Sequence, residues 1–202
     1  VPVEGAVGAY VPGILTAAGA FTLFGTIYAA HAVYGFIGPA AAFLLLGLIG
    51  VATIAAALVH GQALAGLGLL GSMLTPALVS SQSPNVWALF CYLAIVLVAN
   101  TVIARMRDWR SLAAGGFVGT GIWAILYLNE AQAPDFTVLM FISLVSLATL
   151  AFIWLRRNAS YEIDFDWPTV APAIFVGLTA ALLLVTPDFQ ALGSVAYGAL
   201  LI

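Results

Sequence analysis

Residues 40–59 read AAAFLLLGLIGVATIAAALV, twenty positions without a charge, an amide or a proline. At 1.5 Å per residue a helix of that length spans about 30 Å, the thickness of a bilayer's hydrocarbon core. Around this stretch the rest of the chain repeats the theme. Of its 202 residues 64% are apolar and 6% are charged, and the mean hydropathy is +1.15. A soluble domain carries about a quarter charged residues. The five Arg and eight Asp or Glu here cannot cover a water-facing surface of this size. Lipid needs no such cover, because its tails are as apolar as leucine.

Working outward, the sequence divides into further spans. One candidate precedes the quoted run, Gly13 to Tyr34, separated from it by a turn at Gly35 to Pro39. A glycine-rich third follows at Gln62 to Val79, with Pro76 inside it, and then a polar turn from Ser80 to Asn85. The fourth is Val86 to Ala104, the fifth Leu112 to Leu128 and the sixth Phe136 to Leu155. A loop bearing Glu162, Asp164 and Asp166 leads to a seventh span. Pro168 opens it, a first-turn position that suits proline. An eighth run covers Phe189 to Ile202. The predicted fold is all-α, a polytopic transmembrane bundle of about eight helices with short loops, taken as a single domain over 1–202. The chain begins at Val1 and ends within an apolar run, and reads as a segment of a longer protein.

Charge placement tests the division. If every span crosses, the loops after spans two, four and six share one side, and all five arginines fall there: Arg105, Arg107, Arg110, Arg156 and Arg157. The loops on the other side carry Glu130, Asp135 and Asp188. The positive-inside rule then places loops 105–110 and 156–157 in the cytoplasm. Trp87, Trp109, Trp123, Trp154, Trp167 and Tyr127 fall mostly near span ends, as an aromatic belt requires.

A shift of 96 residues lays spans one and two on spans five and six. Ala17-Ala18-Gly19-Ala20-Phe21 falls on Ala113-Ala114-Gly115-Gly116-Phe117, and Gly50, Thr53 and Ala55 fall on Ser146, Thr149 and Ala151. With a shift of 103, Ser83-Pro84-Asn85 falls on Thr186-Pro187-Asp188. The pattern predicts two parallel four-helix units, 1–108 and 109–202, one of the recurring plans of transporter folds.

The third span carries the most specific residues. His60-Gly61, the run Leu67-Gly68-Leu69-Leu70-Gly71-Ser72-Met73-Leu74-Thr75-Pro76-Ala77-Leu78-Val79-Ser80-Ser81, then Ser83-Pro84, Tyr92 and the loop Arg105-Met106-Arg107-Asp108-Trp109-Arg110 resemble a bacterial family of polytopic membrane proteins, domain of unknown function 2339. Ser72 stands where the resemblance implies a second glycine. The resemblance implies a location in the bacterial inner membrane and a multi-span fold, and no reaction.

Candidate site residues lie on that span and the next. Gly68, Gly71 and Ser72 strip one region of side-chain bulk, and Pro76 removes a backbone donor. Two readings follow: a broken helix whose freed carbonyls line a polar site, with Thr75 adding a hydroxyl, or tight packing through small residues. Asn100 is the amide set well inside a span, about 7 Å from Arg105 along the axis. Unpaired polar groups are costly in hydrocarbon, so it is expected to face another helix, as interhelical glue or as a ligand contact. His31 and His60 fall at opposite ends of the membrane, which excludes a shared metal. Cys91 is expected to be a small buried hydrophobe, with no second cysteine to pair with.

No Walker loop, dinucleotide fingerprint, zinc spacing or catalytic triad is present, and no carboxylate or arginine falls mid-span. No cofactor, metal or catalytic residue is therefore assigned, an enzyme is disfavoured, and an ion-coupled pump is weakened. The expected partners are the lipid bilayer and other membrane subunits, not nucleic acid. Three functions stand: a structural or scaffold component of an envelope complex, a transporter or flippase for an apolar or amphipathic substrate, and a disfavoured enzyme acting on lipid-linked substrates.

Overall fold

The computed structural model describes residues 4–79, 85–130 and 135–154, and over these all the regular secondary structure is helical. Backbone groups in hydrocarbon have no water to bond, so each span must satisfy them internally, and the helix does so. α1 covers Glu4–Tyr28 and runs into a single π-helical turn, Ala29–Val33. α2 is Pro39–His60, α3 Gln62–Leu78, α4 Val86–Met106, α5 Arg110–Glu130 and α6 Phe136–Trp154. A helix occupies each of the six stretches expected before residue 155, and α1 begins nine residues before the expected Gly13. Four helices are long and apolar enough to cross a bilayer; α3 and α6 are shorter apolar helices. Spans seven and eight, the arginine pair 156–157, Ser80 and Ser81 lie outside the described residues.

α2 and α3 form an antiparallel hairpin joined by one residue, Gly61, and they share the most extensive contact among the described helices. Gly61 has φ +102° and ψ 173°, a backbone region open in practice to glycine alone. Its N–H still closes α2 by donating to Ala57 O at 2.8 Å. Gly61→Ala is therefore expected to destabilise the protein by about 1–2 kcal/mol, read as a lowered thermal midpoint in detergent, without loss of helix content.

α4 is the central helix. It touches α2, α3, α5 and α6, and Phe90, Leu93, Val96, Leu97 and Asn100 along it are fully buried. Asn85 caps its start, accepting from Ala88 N at 3.1 Å. Asp135 does the same for α6, accepting from Thr137 N and from the Thr137 hydroxyl. Two apolar clusters fill the interior. One, around Ile54, Leu64, Leu69, Val96 and Leu112, lies at the arginine-bearing end. The other, around Phe90, Leu93, Val138 and Ile142, lies towards the opposite end.

α1 sits at the periphery against α2 and α3, with Ile14, Leu15, Phe21 and Leu23 exposed. Such apolar exposure around a bundle is the lipid-facing surface of a membrane protein. Cys91 joins it: the expectation of a buried thiol is wrong, because its side of α4 faces outward and lipid accepts a thiol as readily as a core does. Residues matched by the 96-residue shift do not all share environments. Phe21 is 71% exposed and Phe117 is fully buried, since α1 lies outside and α5 inside.

Candidate functional site

Gly68 and Gly71 of α3 are consumed by packing. A Cβ on Gly68 would meet Ile54 N at 2.8 Å and Gly50 O at 3.0 Å, so the α2 and α3 backbones touch there. Gly50 in turn admits Ser72, and Gly71 admits the Phe24 ring of α1. This close approach is what small residues provide in membranes, where no hydrophobic force draws helices together. The buried hydroxyls of α3 bond within their own helix: Ser72 Oγ to Gly68 O at 2.8 Å, Thr75 Oγ1 to Gly71 O at 2.9 Å.

Pro76 has no N–H, so Ser72 O loses its helical partner, and the ring crowds the carbonyls of the preceding turn. Tyr92 of α4 replaces that partner: its hydroxyl donates to Ser72 O at 2.8 Å. The neighbouring carbonyl, Met73 O, receives Trp123 Nε1 of α5 at 2.9 Å. The ring of Tyr92 reaches this position through a slot at Gly47, where a Cβ would lie 2.6 Å from Cε2, and Phe43 packs on it at 4.7 Å between centroids. Gly119 makes room for Met73 in the same way, a Cβ there coming within 2.7 Å of Sδ. Three helices thus meet at the proline, and two aromatic donors occupy the carbonyls that a polar ligand would need. Neither donor role emerges from the sequence reading, in which Trp123 figures as a belt residue. The signal available was Pro76 itself, which orphans a carbonyl and so demands a donor from a neighbouring helix.

Tyr92→Phe should cost about 1 kcal/mol, the worth of one hydrogen bond between membrane helices. In a Pro76→Ala background the restored N–H takes Ser72 O, so the same change should then cost little. A double-mutant cycle on SDS-unfolding free energies measures that coupling.

Asn100 lies apart from this junction, farther along α4 towards the arginines. It is fully buried, and its Nδ2 donates to Leu112 O of α5 at 2.8 Å. Gly116 leaves the space: a Cβ there would fall 2.5 Å from Nδ2. Asn100 Oδ1 and Thr101 Oγ1 have no hydrogen-bond partner among the described residues. At the arginine-bearing end Arg105 crosses to α6, donating to Phe152 O at 2.8 Å with its guanidinium 4.9 Å over the Phe152 ring. Gln62 Nε2 ties the α2–α3 corner to Ser111 Oγ at 2.7 Å.

The histidines are separate. His31 Nδ1 is 3.0 Å from Ile37 O; His60 lies 3.0 Å from Ala56 O through Nδ1 and 3.4 Å from Thr16 Oγ1 through Nε2. Among the described residues no three His, Cys, Asp or Glu side chains gather as a metal site would require. The candidate residues therefore fall into two groups. Gly68, Gly71, Ser72, Thr75 and Pro76 belong to one packed junction, and Asn100 belongs to another.

A family model described as a predicted membrane protein, DUF2339, matches residues 7–202. The chain belongs to the DUF2339 family. No curated protein and no solved structure matches it. As a DUF2339 chain it is a membrane protein with several apolar helices that contacts the lipid bilayer, and the proline junction of α3, α4 and α5 is the best-defined polar feature in its interior.

Proposed function

We propose that this DUF2339 chain is a structural or scaffold component of a bacterial envelope complex, held in the inner membrane with its arginine-bearing loops in the cytoplasm. The observation that carries this reading is the occupied proline junction. A transport path built on a broken helix needs carbonyls free to exchange with a substrate. Here Tyr92 and Trp123 hold them, and the small-residue face of α3 is filled by Ile54, Gly50 and Phe24. The chemistry is that of a brace: fixed helix angles, no exposed acid or base at the junction, and a lipid-facing exterior to which other membrane subunits can bind. The two four-helix units, 1–108 and 109–202, belong to the same proposal. Burial of Thr53 and of its counterpart Thr149 supports them, and the opposite environments of Phe21 and Phe117 mean that the units would be unequal in role.

The test is a cysteine-accessibility scan from Ala65 to Leu78, one position at a time, with Cys91→Ala and in intact membranes. A dry, packed helix leaves every position below Thr75 unlabelled by a water-soluble reagent. Labelling at helical period around Gly68, Gly71 and Ser72 would establish an aqueous path, remove the scaffold reading and restore the transporter or flippase.

A further inference from the structure

Buried threonines in this bundle follow one habit. Thr53, Thr75, Thr120 and Thr149 each donate their hydroxyl to the carbonyl four residues back, at 2.7–2.9 Å. This is the default in a span, because it satisfies the hydroxyl without a second helix. Thr101 departs from it. It is 1% exposed, yet its Oγ1 has no partner. The next residue towards the N-terminus, Asn100, is fully buried and also carries an unpaired oxygen. That orientation is not an arbitrary choice of amide flip. Turning the amide would set Oδ1 against Leu112 O, acceptor against acceptor, so the bond from Nδ2 dictates where Oδ1 must lie.

Two unpaired oxygens on consecutive residues, in surroundings of low dielectric, demand a donor. We propose that Asn100 Oδ1 and Thr101 Oγ1 hold ordered water inside the bundle, at the level of α4 about 7 Å from Arg105. Water matches the chemistry of the pair. It donates to the amide oxygen, which can only accept, and it either donates to the threonine oxygen or accepts from the hydroxyl. Buried waters typically sit on two to four polar partners; backbone carbonyls of the helices, each with a second lone pair, can complete the set beside either oxygen. A metal ion matches poorly, because both oxygens are neutral, the described residues gather no cluster of acidic or imidazole ligands, and the Arg105 guanidinium lies one turn beyond Thr101. The site is independent of the proline junction, so the bundle is dry at Pro76 and wet at Asn100.

The experiment is radiolytic hydroxyl-radical footprinting of the full chain in lipid nanodiscs, read by mass spectrometry. Held water yields radicals in place and oxidises the side chains beside it. Leu97 is fully buried and would contact a Cβ on Gly116, the residue that admits Asn100; Leu46 on α2 is equally buried and serves as the internal reference. Leu97 should be oxidised several-fold faster than Leu46 in the unaltered protein. Thr101→Val, nearly isosteric, should bring the two rates together and lower the thermal midpoint. Equal rates in the unaltered protein overturn the proposal without recourse to any variant. So does an unchanged Leu97 rate in Thr101→Val, and so does a midpoint that stays or rises, since removing a dry, unpaired hydroxyl relieves the protein rather than weakening it.

Discussion

Gly68→Leu is expected to separate α2 from α3 and abolish the folded bundle, and even Gly68→Ala should cost about 2 kcal/mol. The reason is what a new Cβ meets: Ile54 N at 2.8 Å and Gly50 O at 3.0 Å, both backbone atoms, with Ile54 Cγ1 at 2.9 Å. A side-chain neighbour can rotate away. A backbone neighbour moves only with its helix, and α2 is held along its length by α1 and α4 as well. The intrinsic helix preference of alanine over glycine, about 1 kcal/mol, works in the other direction and is outweighed. The contrast is Gly66→Ala, a position with nothing within 4 Å of a Cβ, where that preference acts alone and the protein should gain slightly. SDS-unfolding free energies of the two alanine variants check the pair. Equal effects at Gly66 and Gly68 would mean that α3 does not seat on α2 as described.

Asn100→Asp should cost about 3 kcal/mol, more than a typical lost hydrogen bond, because it creates a conflict as well as a vacancy. The carboxylate keeps the shape of the amide but places an oxygen where Nδ2 now donates to Leu112 O at 2.8 Å. The contact itself is closed on the Nδ2 side: a methyl on Gly116 would lie within 2.5 Å of that nitrogen. Gly116→Ala attacks the same contact from the opposite helix by displacing the amide. The two changes should thus be strongly non-additive, the double variant scarcely worse than the harsher single one, as expected for residues that share one interaction. Additive losses in thermal midpoint would place Asn100 and Gly116 in separate environments.

The two positions show how differently parts of this molecule could be read from its sequence. Composition and span length determined the class of the protein, because nothing but lipid tolerates a surface with so few charges, and hydrocarbon thickness sets how long an apolar run must be. The boundary between the second and third spans and the missing backbone donor at Pro76 were legible for a similar reason: both are properties of the local chain. Partners were not. A hydroxyl or an indole N–H in an apolar sequence looks alike whether it faces lipid, headgroups or a neighbouring carbonyl. Trp123 therefore read as a belt residue until α5 was laid against α3, and Tyr92 had no assigned role until Gly47 opened a slot for its ring. Cys91 and Phe21 carry the same lesson, since apolar residues on the lipid side and the core side of a span are chemically indistinguishable. The sequence by itself determined that the chain is helical, membrane-embedded and short of one backbone donor at Pro76. Only the tertiary structure decided that aromatic donors occupy the carbonyls beside Pro76 and that no side chain or backbone group among the described residues pairs with the oxygens of Asn100 and Thr101, because hydrogen-bond satisfaction inside a membrane depends on which helix stands opposite.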